Sequence, residues 1–204
     1  MKASVSVGLA VAVLMSAGAA GAQEKAGKQG NFTIAIERAL GIYAGHTNLE
    51  VNGVDEDYDY TGIELGIRSG GVIPSNNVRF GFDYFVIDNL SVGTGFGFAS
   101  YDSDKEDTLF LVAPRVGYFL GFSEHVGFWP RGGFTFWTQS EPDAHNVMVT
   151  LEGMFTIAPS PSYAFLVGPV VDLGFTGEQE IGPNVDADRT DRLLGIAIGM
   201  TGIF

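Results

Sequence analysis

Along most of this chain, large apolar residues alternate with small or polar ones at every second position, which is the side-chain period of a β-strand. In residues 78–84 the even positions are apolar and the odd positions are Arg, Gly or Asp. In residues 92–98 every odd position is Gly, and the alternation returns at 147–157 and 165–173. No apolar stripe of convincing helical length accompanies it. The alternation therefore predicts an all-β chain whose strands have two chemically different faces.

Strands of this kind fit two architectures. In a soluble β-sandwich or a soluble secreted barrel that carries a ligand, the apolar face forms the core. In a transmembrane barrel, the apolar face meets lipid and the other face lines a narrow polar lumen. The Gly, Arg, Asp and Glu residues on the second face favour the transmembrane barrel, and the soluble carrier stays the competing architecture.

The links between the alternating segments fall into two length classes. Short links at 87–89, 121–125 and 158–162 alternate with longer acidic links at 101–107, 138–145 and 176–191. Because transmembrane barrels have short turns on one side and long loops on the other, we predict an antiparallel up-and-down barrel of about eight strands. The strands are expected at residues 32–44, 77–86, 90–101, 107–119, 126–137, 146–157, 163–175 and 191–204.

Residues 46–76 are expected to form one long outer loop whose middle extends the sheet beyond the bilayer. Whether residues 58–69 cross the membrane is left open by the pattern. Aromatic residues near the segment ends predict two girdles at the membrane surfaces. These aromatics are Tyr84, Phe85, Tyr118, Phe119, Phe128, Trp129 and Tyr163 near the short links, and Tyr43, Tyr101, Phe136, Trp137 and Phe175 near the long ones.

The first 22 residues have the layout of a secretory signal peptide. Lys2 supplies the charge, an apolar stretch runs from Val5 to Met15, and small residues end at Ala22. Cleavage there leaves one domain, residues 23–204, with ten basic and 24 acidic side chains and a formal charge of −14. This balance argues against a nucleic-acid partner, because phosphate neutralisation needs Lys and Arg. The absence of cysteine excludes a disulfide and argues against a lipid anchor.

Two stretches resemble the small outer-membrane β-barrel proteins of Gram-negative bacteria. Residues 84–93 resemble an aromatic-rich strand, a tight turn and a Ser-x-Gly sequence that begins the next strand, a combination common at the periplasmic side of these proteins. The last alternating strand ends on Phe204, which is similar to their terminal insertion signal. The resemblance implies an outer-membrane location, insertion by the barrel-assembly machinery, and contact with outer-membrane lipid and lipopolysaccharide; we expect a monomer. The family includes adhesion proteins, membrane stabilisers, small pores and a few lipid-modifying enzymes, so it implies an architecture and not an activity.

Charged residues on the predicted inner face are expected to meet inside the barrel. Hairpins centred on the links at 121–125 and 138–145 place Arg115 opposite Arg131, and Arg131 opposite Glu152. An eight-stranded barrel has room only for its own side chains, so we predict a paired, structural interior in which Glu152 balances two arginines. The predicted lumen cluster consists of Glu37, Asp83, Arg115, Arg131, Glu152 and Asp172.

Acidic residues are concentrated in the predicted outer loops. One interpretation is that they keep this end solvated. The other is that carboxylates at every second position bind Ca²⁺ or Mg²⁺, shared with lipid phosphates, although no calcium-loop Gly or closing Glu follows them. The acids concerned are Asp55, Asp57, Asp59, Asp102, Asp104, Asp107, Asp186 and Asp188.

Candidate catalytic residues are sparse. Ser123 and His125 belong to one short link in which neighbouring side chains point apart, and Ser140 and His145 share one predicted loop. We therefore expect no enzyme and no cofactor. The predicted function is a structural or surface-interaction barrel with a filled lumen. The alternatives are a narrow passive channel, a lipid-modifying outer-membrane enzyme and the soluble carrier.

Overall fold

The computed structural model describes residues 26–65, 77–102, 106–141, 143–182 and 185–204. The predicted signal peptide, residues 1–22, lies outside the described residues. The described residues form ten strands, and they contain no helix that is long and apolar enough to cross a membrane. The strands are β1 (Phe32–Val51), β2 (Val54–Leu65), β3 (Arg79–Ile87), β4 (Leu90–Asp102), β5 (Glu106–Tyr118), β6 (Leu120–Gly121), β7 (Val126–Ser140), β8 (Asp143–Ser160), β9 (Tyr163–Gly182) and β10 (Val185–Ile203).

Eight of these strands close into a ring. Antiparallel pairing runs in the order β10, β9, β8, β7, β5, β4, β3, β1, and β1 then pairs with β10 from Thr33 with Ile203 to Glu50 with Asp188. The two-residue strand β6 pairs only with β7. The predicted antiparallel up-and-down barrel of eight strands is therefore confirmed.

The strand β2 lies outside this ring. It forms a hairpin with residues 40–51 of β1, whereas residues 32–37 of β1 pair with β3. The hairpin turns at Asn52 and Gly53, whose φ angles of 53° and 80° are the positive values that a two-residue type I′ turn requires. The described part of the predicted loop at 46–76 is therefore largely strand and not loop, and β2 extends the sheet as was expected for the middle of that segment.

The other predicted long loops are also mostly strand. At 138–145 and 176–191, β7, β8, β9 and β10 continue until only two residues separate each pair, and at 101–107 three residues separate β4 from β5. The backbone ladder continues there, and burial still alternates: Ala187 and Arg189 are buried inside while Asp188 is exposed. Polar residues occupy both faces, so the hydrophobic alternation disappears. We call this end of the barrel the extended end, and the end with the short links the turn end.

The predicted faces are observed. Phe80, Phe82 and Tyr84 are exposed on the outside, whereas Asp83 and Phe85 are buried inside. The predicted aromatic girdles need correction, because side-chain parity decides which way an aromatic residue points. Five of the aromatics assigned to the girdles are buried inside the barrel, namely Tyr43, Phe85, Phe119, Trp129 and Trp137.

The barrel closes at the turn end through the last residue. The Phe32 N–H donates to the Phe204 carbonyl at 3.1 Å, the Phe204 N–H donates to the Phe32 carbonyl at 3.0 Å, and the two rings stack 5.1 Å apart. These contacts join β1 to the end of β10. They hold the seam that removes both free edges from the ring of strands.

Deleting Phe204 is expected to impair assembly more than Phe204→Ala, because the deletion removes the backbone bonds as well as the ring. The substitution Phe175→Ala, at an exposed aromatic residue on β9, is the control for simple loss of an apolar side chain. The fraction of heat-modifiable, folded protein in detergent measures the effect. Assembly of the deletion variant at the wild-type level would contradict a role for this seam.

Candidate functional site

The charged interior begins with a bulge in β1. The pairing of β1 with β10 shifts register between Ile36 and Leu40, and Arg38 adopts a positive φ of 54°. The extra residue of a β-bulge interrupts the strict alternation of faces. As a result, the neighbours Glu37 and Arg38 are both buried, each 1% exposed.

Glu37 lies between two arginines from other strands. Both of its oxygens accept from Arg115, at 2.5 and 2.8 Å, and Oε1 also accepts from Arg131 at 2.5 Å. Arg115 in turn forms a two-pronged contact with Asp83, at 2.5 and 3.0 Å. Paired, two-pronged contacts of this kind are the strongest that Arg forms with carboxylates.

Asp172 forms the second centre of the network. Its two oxygens accept from Arg38 at 2.6 and 3.0 Å, and Oδ1 also accepts from the hydroxyl of Thr150 at 2.8 Å. Arg79 lies 3.8 Å from the same carboxylate and donates to Thr135. Neither Arg38 nor Asp172 has any exposed side-chain surface.

Glu152 connects the two centres. One oxygen lies 2.7 Å from Arg131 and the other 3.2 Å from Arg38. Four arginines and four carboxylates therefore form one buried network of zero formal charge. Beside Arg115 and Arg131 a cavity of only about 10 Å³ remains, which is about the least space that a water molecule needs.

The structure brings all six predicted lumen residues into this network. The predicted pairing of Arg131 with Glu152 is observed. The pairing of Arg115 with Arg131 is wrong by two residues, because Arg115 pairs with Gly133. The β5–β7 hairpin is centred on residue 124, whereas the prediction centred it on residue 123. Moving the turn by one residue moves every cross-strand partner by two residues.

Sequence reasoning missed two arginines of the network. Arg79 could have been found, because it shares the inner-face parity of Asp83 on β3. Arg38 could not, because only the bulge turns it inward. Glu152 lies 2.7 Å from Arg131 and 3.9 Å from Arg115, the two predicted arginines, and it also contacts Arg38, which was not predicted.

Apolar side chains close the lumen on both sides of the network. At the turn end, Phe85 stacks on Trp129 at 5.6 Å and Phe119 packs edge-on against both. The Arg131 guanidinium lies 5.1 Å from the Trp129 ring, so this aromatic layer directly adjoins the charged one. Towards the extended end the lumen contains a second apolar cluster, formed by Leu109, Leu111, Ala113, Trp137, Ala144 and Met148.

A second ionic group fills the lumen beyond this cluster. Arg189 contacts Asp191 at 3.1 Å and lies 4.8 Å from the Trp137 ring. Asp191 also accepts from Thr47 at 2.7 Å and from Asn146 at 3.0 Å. Sequence analysis missed this group because residues 176–191 read as a loop.

The predicted outer acids lie on strands and strand ends. Asp55, Asp57 and Asp59 belong to β2, Asp186 and Asp188 belong to β10, Asp102 and Asp107 lie at the ends of β4 and β5, and Asp104 lies outside the described residues. The two His46 nitrogens contact Asp57 and Asp59, and Asn48 donates to Asp55 and Asp57.

Two further observations concern this surface. The hydrogen bond from Tyr58 to Glu56, together with the charge of that carboxylate, raises the pKa of Tyr58. Within the described ranges, no group of three or more His, Asp or Glu residues is arranged to hold a metal ion.

The weak catalytic candidates do not come together in the structure. The Ser123 hydroxyl accepts from the backbone N–H groups of His125 and Val126, while the His125 ring contacts the Ala158 carbonyl at 3.1 Å. The Ser140 hydroxyl accepts from the backbone of Thr108. Among the described residues, neither serine hydroxyl bonds to a histidine ring.

Comparisons with known proteins bear on the fold. No protein-family model matches this chain. No curated protein sequence matches it either. Among solved structures it is similar to outer membrane protein AlkL, at 12% identity and a TM-score of 0.54, over 92% of this chain and 94% of that one. It is also similar to outer membrane protein OprG from Pseudomonas aeruginosa, at 10% identity and a TM-score of 0.50, over 90% of this chain and 99% of that one. This chain therefore has the fold of Gram-negative outer-membrane β-barrels, which confirms the predicted fold class and agrees with the predicted outer-membrane location.

Proposed function

We propose that this chain is an outer-membrane barrel with a structural or surface-interaction role and a lumen filled by its own side chains. The balanced network of four arginines and four carboxylates carries the proposal. Buried charges are retained where each has partners of opposite sign, as here, and such a layer leaves no continuous path for water. A narrow passive channel is the competing function, and ion conductance separates the two.

The surface role rests on where the remaining charge lies. The network inside the lumen is neutral, so the formal charge of the full chain, −13, is carried elsewhere on the chain. The β1–β2 hairpin and β10 present exposed acids at the extended end. We assign this extended end to the cell exterior, where its carboxylates stay solvated. Because carboxylates and lipopolysaccharide phosphates repel each other, contact between them would require a bridging Ca²⁺ or Mg²⁺.

The proposed partners follow from the surfaces of the barrel. Lipid surrounds the apolar outer face, and the barrel-assembly machinery engages the terminal strand β10. A monomer is proposed because the ring of eight strands closes on itself and leaves no strand of the ring with a free edge.

The proposed orientation predicts which sites a membrane-impermeant thiol reagent reaches. The chain has no native cysteine, so each introduced one is labelled specifically. Asp188→Cys, exposed at the extended end, is expected to react in intact cells, and Pro161→Cys, exposed at the turn end, only after lysis. Both labelled proteins should be recovered in the outer-membrane fraction. Labelling of Pro161→Cys alone in intact cells would invert the orientation, and recovery in a soluble fraction would favour the carrier.

A further inference from the structure

The hairpin of β1 and β2 concentrates negative charge at the extended end. Within the described ranges β2 pairs only with β1, so one ladder holds it to the barrel. Glu50 on β1 lies directly opposite Asp55 on β2, and like charges in that arrangement destabilise a strand pair. The acids of β2 between residues 54 and 60 are Asp55, Glu56, Asp57 and Asp59, all exposed.

His46 on β1 contacts two of these acids. Its Nδ1 lies 2.8 Å from an oxygen of Asp59, which is its cross-strand partner, and its Nε2 lies 3.3 Å from an oxygen of Asp57. Both contacts run from β1 to β2. They therefore act on the pairing of the hairpin and not within one strand.

Only the protonated imidazole suits both contacts at once. A neutral imidazole has one N–H and one bare nitrogen, so it donates to one carboxylate and turns a lone pair towards the other. The imidazolium donates from both nitrogens, and hydrogen bonds from a charged donor to a carboxylate are stronger than neutral ones. Protonation of His46 therefore strengthens the attachment of β2 to β1.

The other charged groups that face His46 belong to β10 and β1. Arg192 is its cross-strand partner on β10, and Glu50 shares the outer face of β1. In general an imidazole changes charge at about pH 6.5, whereas carboxylate side chains ionise at about pH 4 and arginine stays charged. A change in hairpin stability near neutral pH is therefore a signature of His46.

We infer that His46 makes the β1–β2 hairpin pH-sensitive: protonated His46 fastens β2 to β1, and its deprotonation loosens β2. The stabilising contribution is present below the pH at which His46 titrates and is lost as the pH rises through that value. The inference goes beyond the proposed structural or surface role. It depends neither on the orientation of the barrel nor on its closed lumen, because these groups lie on the outer face of the extended end.

Hydrogen–deuterium exchange of the β2 amides measures this attachment. Folded protein in detergent, checked by heat-modifiable migration, is compared at about pH 5.5 and about pH 7.5, on either side of the imidazole value. After correction for the intrinsic pH dependence of exchange, protection of residues 54–63 is expected to be about two- to fivefold higher at the lower pH, the worth of an exposed ion pair. Residues 165–173 of β9 in the same sample provide the internal reference.

Three variants test the assignment to His46. His46→Gln keeps a polar side chain that cannot titrate, and it is expected to remove the pH response. The double variant Asp57→Asn, Asp59→Asn keeps His46 without its carboxylate partners and is expected to remove the response as well. His145→Gln, the same change at an exposed histidine on β8, is expected to keep it. Equal protection of wild-type β2 at both pH values would overturn the inference, and so would a full response in His46→Gln.

Discussion

Asp172→Asn is expected to lower the free energy of unfolding by about 3–5 kcal/mol, the usual cost of breaking a buried ion pair from one side. The substitution preserves the shape of the side chain but removes the charge that holds Arg38 at 2.6 Å and lies 3.8 Å from Arg79. Arg38 would keep its contact with Glu152 at 3.2 Å. Urea unfolding in lipid vesicles, followed by tryptophan fluorescence, measures the change.

The matched control for this variant is Asp188→Asn. It makes the same chemical change at an exposed position on β10, where surface substitutions alter stability by about 0.5 kcal/mol or less. Equal stabilities for the Asp172 and Asp188 variants would mean that water, and not Asp172, solvates the arginines of the lumen.

Glu152→Ala and Arg131→Ala are expected to cost less together than the sum of their separate effects. Each single change leaves a buried charge without its partner 2.7 Å away, at about 3–5 kcal/mol. The double change removes both charges, and residues in direct contact typically show coupling of about 0.5–3 kcal/mol. The double-mutant cycle is measured by the same unfolding experiment.

Pairing Glu152→Ala with Thr47→Ala provides the control cycle. Thr47 donates to Asp191 in the second ionic group, which is separate from the network that contains Glu152. Additive effects are therefore expected for this pair. If the Glu152 and Arg131 changes were additive as well, the two side chains would be separated by solvent and the lumen network would not act as a unit.

Much of the fold could be predicted because successive side chains on every strand of a membrane barrel point alternately to the lipid and to the lumen. On β3, odd and even positions face opposite sides, and this alone predicts that Asp83 points inside and that the aromatic residues 80, 82 and 84 point outside. The predicted strand at 90–101 differs by one residue from the observed one. The same parity would have placed Phe85 inside beside Asp83, and only its nearness to a turn led to its assignment to a girdle.

The errors have local physical causes. Residues 176–180 are polar or Gly on both faces of the strand, so hydrophobic alternation could not reveal that β9 continues to Gly182. The turn at Asn52 and Gly53 did have a signal, since Asn-Gly is the preferred sequence of a two-residue hairpin. The inward turn of Arg38 had none, because a bulge depends on how the neighbouring strand pairs.

The central claim, that side chains close the lumen, is tested most directly by ion conductance. Wild-type protein, shown to be folded by heat-modifiable migration, is inserted into a planar bilayer and its steady current is recorded. The paired charged layer and the apolar clusters on either side of it predict no steady conductance above that of the bare bilayer. A large, steady conductance by the wild-type protein would contradict the closed lumen and establish the channel in its place.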